Sequence, residues 1–254
     1  MDLRLDNRTI LVTAASRGLG FGVAKALVDE GASVIICART EESLKSAARS
    51  LNNRVEYVVA DLSKADDVVK VIDFVKTNTE SLDGLFVNAG GPPPGTFDKI
   101  TEYDWNASFQ LTLMSAVRLT REALPLMRKS DSPSILYSTS ISVKQPIGNL
   151  LLSNSMRPAV IGMMRTLAEE LGPGGIRVNA ICPGYINTER VTELMEASGD
   201  TQKSIERITS AIPLGRMGEP SEFGAACAFL LSPVSSYIHG ALLLIDGGLY
   251  KGMM

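Results

Sequence analysis

The chain of 254 residues is 45% hydrophobic, enough to bury one substantial core, and α/β domains of this length are commonly single. Its formal charge of -3 offers no basic face, which excludes nucleic acid as an expected partner. No apolar run reaches the roughly 18 residues a membrane span needs and Met1 to Ile10 lacks an apolar signal core, so a cytoplasmic protein without membrane contact is expected.

Short β-branched runs at Thr9–Thr13, Ser33–Ala38, Val55–Ala60, Gly84–Asn88, Ser134–Ser138, Arg177–Ile181 and Leu242–Asp246 read as strands. A helix starts at Gly18, after a glycine-containing turn that lets backbone N–H groups approach a pyrophosphate whose charge the helix dipole favours. The fourth strand runs into Gly90-Gly91-Pro92-Pro93-Pro94-Gly95, which cannot be helix and reads as a rigid loop. Long helices are expected over Asp104 to Leu126 and from Ser153 to Leu171, the latter strongly apolar over Pro158 to Leu171. Residues at about 189–212 are helix-forming but weakly amphipathic, which suits a substrate lid and equally a plain surface excursion. The alternation predicts a single domain over 1–254, a doubly wound (Rossmann) seven-stranded parallel sheet with helices on both faces. Ligands then bind at the carboxyl edge of the strands. Cys37, Cys182 and Cys227 are odd in number and widely spaced, fitting neither a disulfide framework nor a zinc site, and no metal is expected.

Thr13-Ala14-Ala15-Ser16-Arg17-Gly18-Leu19-Gly20, Asp61-Leu62-Ser63, Asn88-Ala89-Gly90, Ile176-Arg177-Val178-Asn179, Pro183-Gly184, Thr188 and Asp246-Gly247-Gly248 follow one another over nearly the whole chain. In order and spacing this set resembles the short-chain dehydrogenase/reductases, and within them a divergent subgroup similar to the β-ketoacyl-carrier-protein reductases. The resemblance implies a nucleotide site at Thr13, Ser16, Arg17, Gly18, Leu19 and Gly20, with Asp61 and Leu62 at the adenine. It adds Asn88, Ala89 and Gly90 as a supporting turn, and Pro183, Gly184, Ile186 and Thr188 near the nicotinamide. Asp61 is open to a second role, as N-cap of a helix beginning near Ser63. Ala14 stands where the family has glycine, a change tolerable if φ there is negative. Arg39 ends the second strand about 20 residues past the glycines, where an acidic residue would read a ribose hydroxyl and a basic one a 2′-phosphate. With Arg17 as a second planar cation, NADP(H) is the expected cofactor.

The family's serine, tyrosine, lysine and asparagine fall, by counting, on Ser140, Ser153, Arg157 and Gln110, so only the serine is unchanged. A serine hydroxyl is a far weaker acid than a phenol, and Arg157 is effectively never deprotonated. Pro158 disfavours α conformation at Arg157 unless both lie in the first helical turn; a distorted turn would part Ser153 from Arg157. Lys144, four residues after Ser140, is a substitute donor or substrate anchor if desolvation and Arg157 lower its pKa. Tyr185 reads as a pocket wall or a second substitute, and His239 as structural.

The resulting expectation is an NADPH-dependent carbonyl reductase or alcohol dehydrogenase with an atypical site, acting on an anionic oxo acid or acyl thioester and assembled as a homotetramer or homodimer. The wider tyrosine-to-lysine spacing of enoyl reductases has no counterpart. The rival expectation is a catalytically impaired nucleotide-binding sensor or partner subunit.

Overall fold

The computed structural model describes residues 1–52, 54–196 and 201–253, apart from the side chains at 194 and 201. Strands β1 (Thr9–Thr13), β2 (Ser33–Ala38), β3 (Val55–Val59), β4 (Gly84–Val87), β5 (Ser134–Ser138), β6 (Arg177–Pro183) and β7 (Leu242–Ile245) pair in parallel in the order β3-β2-β1-β4-β5-β6-β7. β5 and β6 are buried along their whole length, the pattern a parallel sheet needs when both faces are covered. β6 runs two residues beyond the expected Ile181 because Cys182 and Pro183 pair with Leu244 and Ile245 of β7.

Alternation along each strand divides the core. Leu11 packs with Ile35, Leu85 and Tyr137 beneath α3 (Ala65–Asn78), α5 (Ser115–Met127) and α6 (Leu151–Leu171). Ile10 and Val12 point the other way, packing with Val34, Ile36 and Phe86 against α1 (Gly18–Asp29), α2 (Glu41–Ser50) and α9 (Pro220–Leu231). The strand order reverses between β1 and β4, so a crevice opens at their carboxyl ends.

Two helices depart from the periodic expectation. The segment expected as one helix over Asp104 to Leu126 is α4 (Glu102–Ser108), a π turn over Phe109–Met114, and then α5. A Thr101–Asp104 capping box fixes the start of α4. α6 passes through Pro158 without a break, at its eighth residue, so the expected distortion does not occur. One missing N–H bond is outweighed by packing of Val160, Met164, Ala168 and Leu171 onto the sheet. α7 (Glu189–Glu196) and α8 (Thr201–Ala211) form the expected excursion, with Met195, Ile208 and Ile212 clustered between them; residues 197–200 lie outside the described residues.

Candidate active site

The nucleotide motifs converge on the carboxyl edge of β1, β2 and β4. The Thr13 hydroxyl donates to the carbonyl of Asn88 at 2.7 Å and accepts the Asn88 N–H at 2.8 Å, bolting the first loop to the Asn88-Ala89-Gly90 turn. The N-terminus of α1 has no side-chain cap and no acid in its first turn, leaving its N–H groups and dipole to an anion. Gly20 lets this helix approach the loop: a Cβ there would stand 2.3 Å from the Ala14 carbonyl oxygen. Gly18 lies opposite Thr188, and the surface of Gly90 is open. This cradle fits a dinucleotide.

Three details differ from expectation. Ala14 has φ of +50°, not a negative value, because the loop turns left-handed to bring its carbonyl over Gly20. An L-residue there costs about 1–2 kcal/mol. Asp61 is not a helix cap: α3 begins at Ala65, and the Asp61 carboxylate instead accepts the Ser63 N–H and hydroxyl at 3.1 and 2.8 Å. Burial opposes its ionisation, yet these two bonds, with Lys64 and Arg39 nearby, hold Asp61 below the usual range. Arg17 pairs with Glu189 at the start of α7, an exposed bridge of little worth in water that a phosphate can displace. Arg39 is exposed at the end of β2, free of any ion pair among the described residues.

Of the residues expected to be catalytic, Ser140, Lys144, Ser153 and Arg157 lie at the end of β5 and the start of α6. Ser140 caps a short turn over Ile141–Val143, its oxygen accepting the Ser142 N–H at 3.1 Å. Arg157 donates through Nε to the Ser153 hydroxyl at 3.1 Å and through Nη1 to the carbonyls of Thr139 and Ser138 at 2.8 and 3.3 Å. Ser153 and Arg157 therefore share one face of α6. Burial pushes the Arg157 guanidinium down to about 10, Cys182 opposes this and Arg190 adds to it; the group remains a cation at neutral pH.

Gln110 is not part of this cluster. Its carbonyl oxygen accepts a 2.7 Å bond from Arg118, whereas Thr112 lines the interior cavity with Asn88, Ser115, Ser138, Thr139 and Arg157. Gln110 and Thr112 both lie in the π turn, which presents Thr112 inward with its buried hydroxyl unpartnered among the described residues. Lys144 is half-buried directly after the Ile141–Val143 turn, and its charge and that of Arg157 both act on the Cys182 thiol, which burial nevertheless holds above its usual value. Tyr185 packs with Met195, Ile208 and Ile212, as a wall. His239 accepts the Val178 N–H at Nδ1, which leaves the proton on Nε2 for the Ala168 carbonyl; it joins β6 to α6.

Sequence reasoning missed Thr112, Ser142 and Arg190. Arg190 on α7 donates to the Pro92 carbonyl at 3.0 Å and lies over Gly91, so it reaches the Gly90–Gly95 loop and acts electrostatically on Arg157. Ser142 is buried, 3.3 Å from the Ser153 hydroxyl. The only hint in sequence is that each stands two residues from a recognised motif position.

The family described as enoyl-(acyl carrier protein) reductase matches residues 13–250. The 3-oxoacyl-(acyl-carrier-protein) reductase FabG of Thermotoga maritima is 34% identical over 252 residues, 97% of this chain and 99% of that protein. The crystal structure of L-sorbose reductase from Gluconobacter frateurii, complexed with NADPH and L-sorbose, superposes with a TM-score of 0.95 at 29% identity over 100% of both chains. An NADPH-bound short chain oxidoreductase of Pseudomonas aeruginosa PAO1, described as containing an atypical catalytic center, superposes at 0.90 with 29% identity over 97% of this chain and 99% of that one. With its seven-stranded order, its glycine cradle and these matches across almost its full length, the chain belongs to the short-chain dehydrogenase/reductase family of oxidoreductases.

Proposed function

We propose that the protein is an NADPH-dependent reductase of carbonyl compounds, with an anionic oxo acid or a phosphate-bearing acyl thioester as substrate. The observation that carries this reading is one sheet edge with a helix N-terminus lacking a side-chain cap and an exposed Arg39 without an ion pair among the described residues at one end, and at the other the buried Arg157 cation bound to the Thr139 carbonyl directly before Ser140. Thr13 to Gly20, Arg39, Asp61 and the Asn88 turn would hold the dinucleotide, with Pro183, Gly184, Ile186 and Thr188 on the nicotinamide side. NADPH in related structures supports the choice of cofactor.

When bound, NADPH supplies the hydride taken up by the carbonyl carbon. Ser140 donates a hydrogen bond to the carbonyl oxygen as negative charge develops there. Ser153 is too weak an acid to replace a phenol, and Arg157 keeps its proton and contributes a fixed positive field. The Lys144 ammonium gives the alkoxide its proton and is reprotonated by solvent. Lys144, Arg157 and Arg190 together favour an anionic substrate, and α7 and α8 serve as a lid whose first turn meets both Arg17 and Pro92. Assembly as a homotetramer or homodimer belongs to the same reading, and the exposed Leu243 on the edge strand β7 is consistent with it.

The test is an equilibrium titration with NADPH and NADH, followed by NADPH consumption with 2-oxo acids, acetoacetyl-coenzyme A and neutral ketones. Tighter NADPH binding and faster turnover of the anionic compounds are expected. Tight NADPH binding without turnover of any compound would identify an impaired nucleotide-binding protein, which the loss of the acidic hydroxyl at Ser153 would explain.

A further inference from the structure

Ser153 sits between Arg157 and Ser142, and chemistry fixes the direction of the first of these two hydrogen bonds. Arg157 carries only donors, so its Nε–H donates a hydrogen bond to the Ser153 oxygen at 3.1 Å. The remaining contact of the Ser153 hydroxyl is Ser142 Oγ at 3.3 Å, and both serines are buried. A hydroxyl that accepts from a cation is polarised into a better donor, and a buried O–H without an acceptor is costly. Of the two hydroxyls the polarised Ser153 is the better donor, which favours the arrangement in which its proton points at Ser142. The Ser142 oxygen accepts it, and the Ser142 O–H is left with no acceptor among the described residues.

Ser140 has the same surplus. Its oxygen accepts the Ser142 N–H, and its own O–H has no protein acceptor among the described residues. Two unspent hydroxyl donors thus stand two residues apart on one turn after β5. We propose that Ser142 takes the hydrogen-bonding part of the missing phenol: its O–H, oriented by the Arg157–Ser153 pair, binds the substrate carbonyl oxygen together with Ser140. This rests on the carbonyl-reductase reading. As the carbonyl carbon takes up the hydride, the π electron pair moves onto oxygen, the two hydroxyls hold the alkoxide without losing their protons, and the Lys144 ammonium protonates it. Ser142 is the catalytic residue of the series and Ser153 a positioning residue, because only Ser142 meets the substrate.

The experiment compares Ser142→Ala, Ser142→Thr and Ser153→Ala in the NADPH-loaded protein with 2-oxobutanoate. It also records the infrared carbonyl stretch of 2-oxobutanoate carrying carbon-13 at the ketone, bound to the NADP-loaded protein. Ser142→Ala is expected to lower kcat by about 100-fold, the scale for losing one oxyanion donor, with KM little changed and the stretch shifted toward its free value. Ser142→Thr restores both readouts, and Ser153→Ala falls between. A full kcat with an unshifted stretch in Ser142→Ala, or a Ser153→Ala defect exceeding that of Ser142→Ala, overturns the inference and leaves the reductase reading standing. An unmutated protein that neither reduces nor binds 2-oxobutanoate, acetoacetyl-coenzyme A or a neutral ketone overturns both.

Discussion

At the scale of the residue, the cofactor reading depends on Arg39. It is exposed at the end of β2 with no ion pair among the described residues, so its charge is available to a 2′-phosphate. Arg39→Asp is expected to weaken NADPH binding by about 1–3 kcal/mol, the range for a charged hydrogen bond, and to narrow the gap to NADH in a fluorescence titration. Equal affinities for the two cofactors in the unmutated protein would refute the preference. Lys144 carries the second residue-scale prediction. If its ammonium delivers the proton, Lys144→Met lowers kcat by about 100-fold or more while the NADPH dissociation constant stays put. A raised KM with unchanged kcat would make Lys144 an anchor for the anionic group instead. If neither moves, it is a surface lysine.

At the scale of the element, α9 supports the strip of chain that carries Thr188. Gly218, just before α9, donates to the Tyr185 carbonyl at 3.0 Å and accepts the Asn187 N–H at 2.7 Å. The helix start is fixed by a Glu219–Glu222 capping box, and Arg216 grips Glu222 through two bonds of 2.7 and 2.8 Å. The Arg216 bonds above all, then the Glu219 N–H, hold the Glu222 carboxyl down to about 2. Between the ordinary value and about 2 the unfolded chain binds the extra proton. This contribution is therefore fully present above the ordinary carboxylate range and is lost as pH falls through about 2. Arg216→Met should return Glu222 toward the usual range in a carbon-detected NMR titration and flatten the acid limb of stability. An unmoved Glu222 titration would show that the helix cap alone sets it.

The helices also show why parts of the site were not legible in sequence. Apolar periodicity is a local property, and it located all seven strands and the start of α6 to within two residues, but not the break of the Asp104 to Leu126 helix into α4, a π turn and α5. A π turn is not local in that sense. Thr112, two residues beyond the counted Gln110, is the one that lines the cavity, and only the packed structure distinguishes them. The sign of φ at Ala14 follows from how tightly the loop closes over Gly20, and the position of Arg190 from how α7 meets the Gly91–Pro92 edge. Neither leaves a mark in composition. Ser153 and Arg157 share a face because α6 stays continuous through Pro158, which the sequence leaves open.

At the scale of the whole molecule, the family scaffold is retained, and in the proposed reading Ser153 and Arg157 stand at its tyrosine and lysine positions. The account's central claim is that hydride transfer to a carbonyl survives this replacement and depends on Ser140 more than on Ser153. The most direct measurement is a single turnover with NADPH carrying two deuterons at the nicotinamide C4 position, followed by mass analysis of the alcohol formed from 2-oxobutanoate. The account predicts one deuterium on the carbinol carbon for the unmutated protein, a reduced but persistent yield for Ser153→Ala, and a far smaller one for Ser140→Ala. Absence of label in the unmutated protein's product, or its loss in Ser153→Ala with full retention in Ser140→Ala, would contradict it.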